Sequence, residues 1–168
     1  MIPSLVTSLA TAGFVFAMVY AGIVDLTTMR IRNGLVLALL AAYVALAPLA
    51  GFTLEEIAWS AAIAAGLLVV SFVFFARGWM GGGDAKLLAV TALWLGFDHT
   101  PAFLVYTALF GGALTLAILQ LRLVVLPAFL GNRPWIAQLQ SDKAGIPYGV
   151  AITIAALVVF PQTRWFAL

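Results

Sequence analysis

The sequence predicts an all-α polytopic membrane protein, a six-transmembrane-helix bundle with both termini on the non-cytoplasmic side. Of the 168 residues, 65% are hydrophobic and only 8% are charged, and the mean hydropathy is +1.16. So little polar surface cannot coat a water-soluble globule. Because each span needs about 20 apolar residues, six spans would use most of the chain, which predicts a single domain over residues 1–168.

Apolar runs give the spans in chain order. No Lys or Arg precedes the first run, so it is expected to stay as a helix and not to be cleaved as a signal peptide. The fourth run is short for a span unless its helix begins near Asp84. The segment 122–145 is interrupted by Pro and Gly residues and is expected to be a surface-lying or partly buried loop. The six runs are residues 4–24, 34–50, 57–76, 85–97, 101–121 and 146–165.

The distribution of cations predicts the orientation, because cytoplasmic loops collect Lys and Arg. The first, third and fifth connections hold seven of the eight cations, whereas the opposite side has Arg164. Asp25 and Asp84 therefore share the predicted cytoplasmic side. The seven cations are Arg30, Arg32, Arg77, Lys86, Arg122, Arg133 and Lys143.

Several classes of site are not expected. The chain has no cysteine and one histidine, His99, which excludes disulfides, thiolate metal sites and an imidazole cluster. We therefore expect no metal and no cofactor. The glycine run before Asp84 lacks a Gly-Lys-Ser/Thr motif, so nucleotide binding is not expected. The net charge of +2 is attributed to cations at the membrane surface and not to a nucleic-acid partner.

Other polar residues have structural interpretations. Thr53 and Glu56 have the spacing of a capping box at the start of the third span. Arg77 with Trp79, and Arg122, are interpreted as anchors at the membrane interface. Asp98 and His99 are expected in a solvated turn.

Asp25 and Asp84 are the candidates for chemistry. Asp25 ends an apolar helix, where a carboxylate costs roughly 2.5–3.5 kcal/mol on insertion scales; its structural alternative is an ion pair with Arg30 or Arg32. Asp84 follows glycines 81–83, which permit close backbone approach; its structural alternative is the N-cap of the fourth span.

A bundle can bring these two carboxylates face to face, because both lie at the same ends of the first and fourth helices. Two close carboxylates share one proton and titrate as a unit. One can then activate a water molecule while the other protonates, as in aspartic proteases.

The motifs around these aspartates resemble those of the prepilin peptidases, the type IV leader peptidase family. Gly81-Gly82-Gly83-Asp84 matches the GxGD motif of these membrane aspartyl proteases. Asp25 to Asn33 is similar to their aspartate followed by Ile-Pro-Asn, with Arg32 at the proline position. Residues 146–149, Ile-Pro-Tyr-Gly, are similar to a family Ile-Pro-Phe-Gly before the last span.

The resemblance implies an aspartic endopeptidase that removes the short basic leader from prepilins at the cytoplasmic face of the bacterial inner membrane. Larger members carry a segment with paired cysteines and also methylate the new N-terminus. The absence of cysteine here is typical of the short, peptidase-only class of Flp (tight-adherence) pilus systems, with no methyltransferase activity. The roles implied are Asp25 and Asp84 as the catalytic pair, Gly81 and Gly83 as backbone-shaping positions, and Asn33 and Lys86 as neighbours.

The expected partners are a Flp-type or type IV pilin-like prepilin and the lipid bilayer. Apart from the two aspartates, Asp142 is the one acid on the predicted cytoplasmic side, so the protein surface is poorly matched to a basic leader. Anionic lipid head groups are therefore expected to attract the leader, each basic residue contributing around 1 kcal/mol.

Three alternatives remain open. A proton-coupled transporter or channel subunit could use the same carboxylates near a broken helix. A structural membrane subunit would tolerate Asp25→Asn. An intramembrane protease of the presenilin kind shares GxGD but cuts inside a substrate helix.

Overall fold

All regular structure in the described part of the chain is helical, so the all-α prediction is confirmed. The computed structural model describes residues 2–124, 126–127, 133–141 and 144–166, with side chains from residue 5 onward. Two residues of the predicted topology, Asp142 and Lys143, lie outside these ranges. The helices are α1 (Ile2–Thr28), α2 (Asn33–Leu49), α3 (Leu54–Ala76), α4 (Gly82–Leu123), α5 (Pro134–Gln140), α6 (Tyr148–Val159) and a 3₁₀ turn (Phe160–Gln162).

Three of the described helices are long and apolar enough to cross a bilayer. They are Leu5–Thr28 of α1, Leu54–Ala76 and Gly82–Leu123, whereas Asn33–Leu49 and Tyr148–Gln162 are apolar but shorter. Much of the α3 surface is exposed and apolar, including Val69 and Phe72, as is typical of a helix that faces lipid. The count of six spans and the orientation of the termini stay predictions.

Helix α4 reverses direction at Gly96. This residue has φ 78° and ψ 176°, a conformation that glycine adopts without steric cost. In the first half of α4, Asp84 faces Gly149, and in the second half Gly111 contacts the Tyr148 ring. Both halves thus reach the same end of α6 and lie side by side. The predicted division between the fourth and fifth runs falls at this reversal, although the helix begins at Gly82 and not at residue 85.

The predicted capping box at the start of α3 is confirmed. Thr53 Oγ1 accepts from the Glu56 backbone N–H at 3.2 Å, and Glu56 Oε2 accepts from the Thr53 N–H at 2.7 Å. The Glu56 carboxylate also accepts from Arg164 at 2.6 Å. This ion pair joins the start of α3 to the turn after the last helix.

An aromatic core closes the same end of the bundle. Trp94 and Trp165 are buried, with ring centroids 4.8 Å apart. Trp94 Nε1 donates to the Leu39 carbonyl and Trp165 Nε1 donates to the Trp94 carbonyl, each at 3.0 Å. Both indoles bury their rings and satisfy their polar atom, which holds α1, α2, α4 and the C-terminal turn together.

The structure shows the partners of Arg122 and corrects two expectations, one for Asp98 and one for the segment 122–145. Arg122, interpreted as an interface anchor, donates to the carbonyls of Leu139 at 3.0 Å and Ala144 at 2.8 Å, because these carbonyls need donors that no helix supplies. Asp98, expected in a turn, lies in the helix that follows the Gly96 reversal. The segment 122–145 contains helix α5 and not only loop.

The other interface interpretation agrees with the geometry. Arg77 follows α3, and its guanidinium carbon lies 5.4 Å from the centre of the Trp79 ring. The Trp79 side chain is exposed. This pairing of a cation with an aromatic ring suits a position at the edge of the bilayer.

Candidate active site

Asp25 is held by the start of helix α6. The Asp25 side chain is 4% exposed, and its Oδ2 accepts a hydrogen bond of 2.8 Å from the backbone N–H of Gly149, 124 positions away in sequence. The backbone N–H of Val150 also faces this carboxylate. The first N–H groups of a helix have no partner within the helix, and they carry the positive end of its dipole. The start of α6 therefore compensates the buried Asp25.

The ion-pair alternative for Asp25 is wrong for the residues that the structure describes. Arg30 and Arg32 are exposed, and the described salt bridge joins Arg164 to Glu56 and does not involve Asp25. The chain leaves α1 through Met29, at φ 52°, before these arginines. Backbone donors and not cations thus surround the buried carboxylate.

Asp84 lies in the first turn of α4. The N-cap alternative for Asp84 is wrong, because the N-cap is Gly81 and the helix begins at Gly82. The Asp84 carboxylate faces the N–H groups of Gly81 and Gly149 and interacts electrostatically with Asp25. The structure therefore brings the two aspartates together at Gly149. We call Asp25 and Asp84 the aspartate pair.

Two glycines leave the space that the aspartate pair occupies, and a third lets α4 approach the loop after α1. A Cβ on Gly149 would lie 2.7 Å from Asp25 Oδ2, and a Cβ on Gly81 would lie 2.7 Å from Asp84 Oδ2. A Cβ on Gly83 would lie 3.0 Å from the Cβ of Ile31. These distances are below ordinary van der Waals contact. The predicted backbone-shaping positions, Gly81 and Gly83, thus lie where α4 approaches Asp84 and the loop after α1.

The two expected neighbours contact each other. Lys86 Nζ donates to Asn33 Oδ1 at 3.0 Å, and both side chains are exposed. This hydrogen bond links the first turn of α2 to the first turn of α4. Asn33 and Lys86 therefore lie on the elements that carry the pair, but their described hydrogen bond is to each other.

The principal residue that the sequence interpretation left without a role is Gly149. Its N–H is the donor that both aspartates face, and Pro147 just before it is almost fully buried. The available signal was the Ile-Pro-Tyr-Gly segment at residues 146–149. That match indicated a motif but not its partner, because nothing local connects Gly149 to Asp25.

The described residues contain no group of three or more His, Asp or Glu side chains that could hold a metal ion. What the site offers is two carboxylates that interact electrostatically beside backbone N–H donors. Such an arrangement can accept a proton at one carboxyl group and donate a proton from the other.

Comparison with known proteins identifies the family of the chain. The sequence model of the type IV leader peptidase family matches residues 12–116, which is more than half of the chain and includes both aspartates. Comparison with curated proteins and with solved structures gave no significant match. The family is one of membrane peptidases that act on pilin-like leaders, which suits the long apolar helices. The chain belongs to the type IV leader peptidase family.

Proposed function

We propose that the protein is an aspartic endopeptidase in which Asp25 and Asp84 activate the water that cuts a prepilin leader. The observation that carries this proposal is that Asp25 accepts a hydrogen bond from the N–H of Gly149, while Asp84 interacts electrostatically with Asp25 and with the same N–H. A buried carboxylate without a cation is costly, and Asp25, buried beside the partly buried Asp84, is of the kind retained where its proton chemistry is used.

The proposed reaction uses the two carboxyl groups in complementary protonation states. The ionised carboxylate takes a proton from water, whose oxygen attacks the carbonyl carbon of the scissile peptide. The protonated carboxyl group donates a hydrogen bond to the carbonyl oxygen, and a proton then passes to the leaving nitrogen as the C–N bond breaks. The donor from Gly149 holds Asp25 in place during these transfers.

The proposed substrate is a Flp-type prepilin, and the enzyme belongs to the short class that lacks methyltransferase activity. The absence of cysteine supports this assignment, because the methylating members carry paired cysteines. The expected product is a pilin whose new N-terminus is unmethylated. Mass spectrometry of the cleaved pilin tests this point, and a mass increase of one methyl group would contradict it.

The proposed cellular face is the cytoplasmic side of the inner membrane. Arg30, Arg32 and Arg77 adjoin the ends of helices that lie near the aspartate pair, whereas Arg164 lies at the opposite end of the bundle. This bias follows the positive-inside rule. Labelling of a single cysteine introduced at Arg30 with an impermeant reagent should occur only in inverted membrane vesicles.

Anionic lipids are proposed to bring the basic leader to the site. Each basic residue gains around 1 kcal/mol near an anionic surface. Cleavage in vesicles should accelerate as the anionic lipid fraction rises, and the gain should weaken at high salt. Cleavage that is indifferent to anionic lipid content would remove this part of the proposal.

The decisive experiment follows leader removal during co-expression with candidate Flp-type prepilins. Wild type should cut, whereas Asp25→Asn and Asp84→Asn should not, since each amide cannot exchange the required proton. Asp142→Asn is the matched control, because it removes the remaining acid on the predicted cytoplasmic side. All variants are first checked for equal membrane insertion.

Full activity in either variant of the aspartate pair would overturn the two-aspartate mechanism. Failure of wild type on several pilins would instead contradict the proposed substrate, and ion flux would become the next assay. The two failures are distinguishable because the first requires an active wild type.

A further inference from the structure

A cavity lies at the end of the bundle opposite to the aspartate pair. Its volume is about 430 Å³, within the range of small-molecule sites. The turn between α2 and α3, the first turns of α3, the Gly96 reversal and the C-terminal turn enclose it. We call it the distal pocket; the residues used below are Glu55, Glu56, Trp59, Ser60, Phe97, Asp98 and Arg164, all of which line it.

Two aromatic rings form one wall of the distal pocket. The Trp59 and Phe97 ring centroids are 5.6 Å apart with 55° between the ring planes, so the rings form an open corner. Both side chains are about half exposed, 55% and 51%. The residues come from different helices, α3 and α4, and their rings present π-faces that attract cations.

The charges around this corner are negative in excess. The Glu56 carboxylate is matched by Arg164 at 2.6 Å, whereas Glu55 and Asp98 are exposed and form no ion pair among the described residues. Aromatic faces beside unmatched carboxylates are the combination that recognises organic ammonium ions.

Tyr43, a buried residue of α2, interacts with Ser60 of the distal pocket. The Tyr43 side chain is 1% exposed, and its hydroxyl has no hydrogen bond of ordinary geometry within the described residues. This hydroxyl interacts with the side chain of Ser60 and with the charge of Glu56, and both of those residues line the distal pocket. A buried hydroxyl without a well-formed hydrogen bond is costly, and Ser60, which donates to the Glu56 carbonyl at 2.8 Å, is the residue that links Tyr43 to the pocket lining.

We propose that the distal pocket binds an organic ammonium group. The ammonium lies against the Trp59–Phe97 corner and pairs with Glu55 and Asp98, and the remaining volume holds the group that carries it. Two sources share this chemistry, the ethanolamine head group of a phospholipid and a free small amine. The site is separate from the aspartate pair and does not depend on the peptidase proposal.

The test uses purified full-length protein in detergent with two short-chain phospholipids of equal chain length. One carries ethanolamine and the other carries glycerol as its head group. Binding is followed by the change in tryptophan fluorescence and by the shift in apparent melting temperature. The ethanolamine lipid should give a saturable change, and the glycerol lipid should require at least about tenfold higher concentration, since it lacks the cation.

Free ethanolamine provides the second arm of the test. Saturation by free ethanolamine and by its lipid would identify the ammonium as sufficient. Saturation by the lipid alone would show that the acyl chains contribute to the same ammonium site. Equal response to the ethanolamine and glycerol lipids, or no response to any amine, would overturn the proposal.

Two matched variants distinguish binding in the distal pocket from binding elsewhere on the apolar surface. Trp59→Leu should weaken binding at least tenfold, whereas Trp79→Leu should not. Trp79 is also exposed and also packs beside a phenylalanine, Phe74, with centroids 5.7 Å apart, but it lies after α3 at the other end. Equal binding by Trp59→Leu and wild type would contradict the proposed wall.

A further variant tests the contribution of the Glu55 and Asp98 charges to ammonium binding. The double variant Glu55→Gln and Asp98→Asn keeps the size of both side chains and leaves the capping box of Thr53 and Glu56 intact. It should lose the preference for ethanolamine over glycerol lipid. Retention of that preference in a folded double variant would overturn the assignment of the two carboxylates.

Discussion

The acidic residues at the two ends of the helical bundle have different kinds of partner. At one end, Glu56 is matched by Arg164 at 2.6 Å and completes the capping box with Thr53. At the other end, Asp25 and Asp84 interact with each other and face the backbone N–H of Gly149. The first arrangement neutralises a carboxylate and ties helices together. The second leaves two carboxylates able to exchange protons, which is the arrangement that proton-transfer chemistry requires.

The difference also lies in where the compensation comes from. An arginine side chain is long and can reach Glu56 from a separate turn, so the exact position of the helices matters little there. A backbone N–H reaches only about 3 Å, so α6 must start against Asp25. Small steric changes near the aspartate pair should therefore lower the rate of cleavage. Loss of polar contacts near Glu56 should instead lower the stability of the protein.

Outside the aspartate pair itself, the largest effect is expected for Gly149→Ala. The new Cβ would lie 2.7 Å from Asp25 Oδ2 and 2.9 Å from Ile31 Cδ1, which displaces the buried carboxylate. Misplacement of a catalytic group by about 1 Å costs roughly 100-fold in rate, so leader cleavage should fall by about that factor. The control is Gly112→Ala in α4, where a Cβ meets nothing within 4 Å; equal cleavage by both variants would refute the role of Gly149.

A smaller loss is expected for Gly81→Ala. Its Cβ would meet the far end of the Asp84 side chain at 2.7 Å, and a side-chain oxygen can rotate away. Cleavage should fall about tenfold through this displacement, as measured by leader removal during co-expression with the prepilin. Gly34→Ala is the matched control near a helix start, with nothing within 4 Å of its Cβ. If Gly81→Ala lost more cleavage than Gly149→Ala, the argument that the Asp84 side chain can rotate away from the new Cβ would be wrong.

At the opposite end, Thr53→Ala should lower stability and leave cleavage near the wild-type rate. Removal of an N-cap side chain costs about 1 kcal/mol, because the Glu56 N–H loses its acceptor. The measurement is the apparent melting temperature in detergent. Thr27→Ala removes an exposed hydroxyl that bonds within its own helix and should change stability less. If Thr53→Ala lost cleavage but kept its stability, the conclusion that this end of the bundle contributes to stability and not to cleavage would be wrong.

The smallest effect is expected for Lys86→Gln. Its hydrogen bond to Asn33 joins two exposed side chains, and surface substitutions of this kind usually change stability by less than about 0.5 kcal/mol. Its effect on cleavage should be smaller than that of Gly81→Ala, because its described contact is with Asn33 and not with an aspartate. A cleavage loss as large as that of Asp84→Asn in a stable protein would place Lys86 in contact with substrate.

The elements that the sequence predicted well depend on local chemistry. The capping box of Thr53 and Glu56 is a property of four consecutive residues, and the division between the fourth and fifth apolar runs falls beside Gly96, which adopts the positive φ of the reversal without steric cost. The start of α4 was less well predicted. Glycines 82 and 83 have poor helix propensity, yet α4 includes both, because their small size lets the helix pack against Phe75 and Ile31.

The partners of charged residues could not be predicted in the same way. Arg164 pairs with Glu56 across 108 positions, and Arg122 donates to carbonyls of α5 and the segment after it. The separation of two residues along the chain does not predict these contacts. Each contact depends on which helix ends lie next to each other after the helices pack. The same limit applied to Asp25, whose nearest cations in sequence are not its partners.

The sequence by itself determined the class of protein, the helical architecture and the two aspartates that the family motifs identify. Composition, hydropathy and short motifs are read locally along the chain, so they need no knowledge of packing. The tertiary structure alone decided that both aspartates interact with the N–H of Gly149 and that Glu55, Trp59 and Asp98 line the distal pocket. These groups come from separate helices, and only the packing of those helices determines which side chains and backbone atoms lie within a few ångströms of one another.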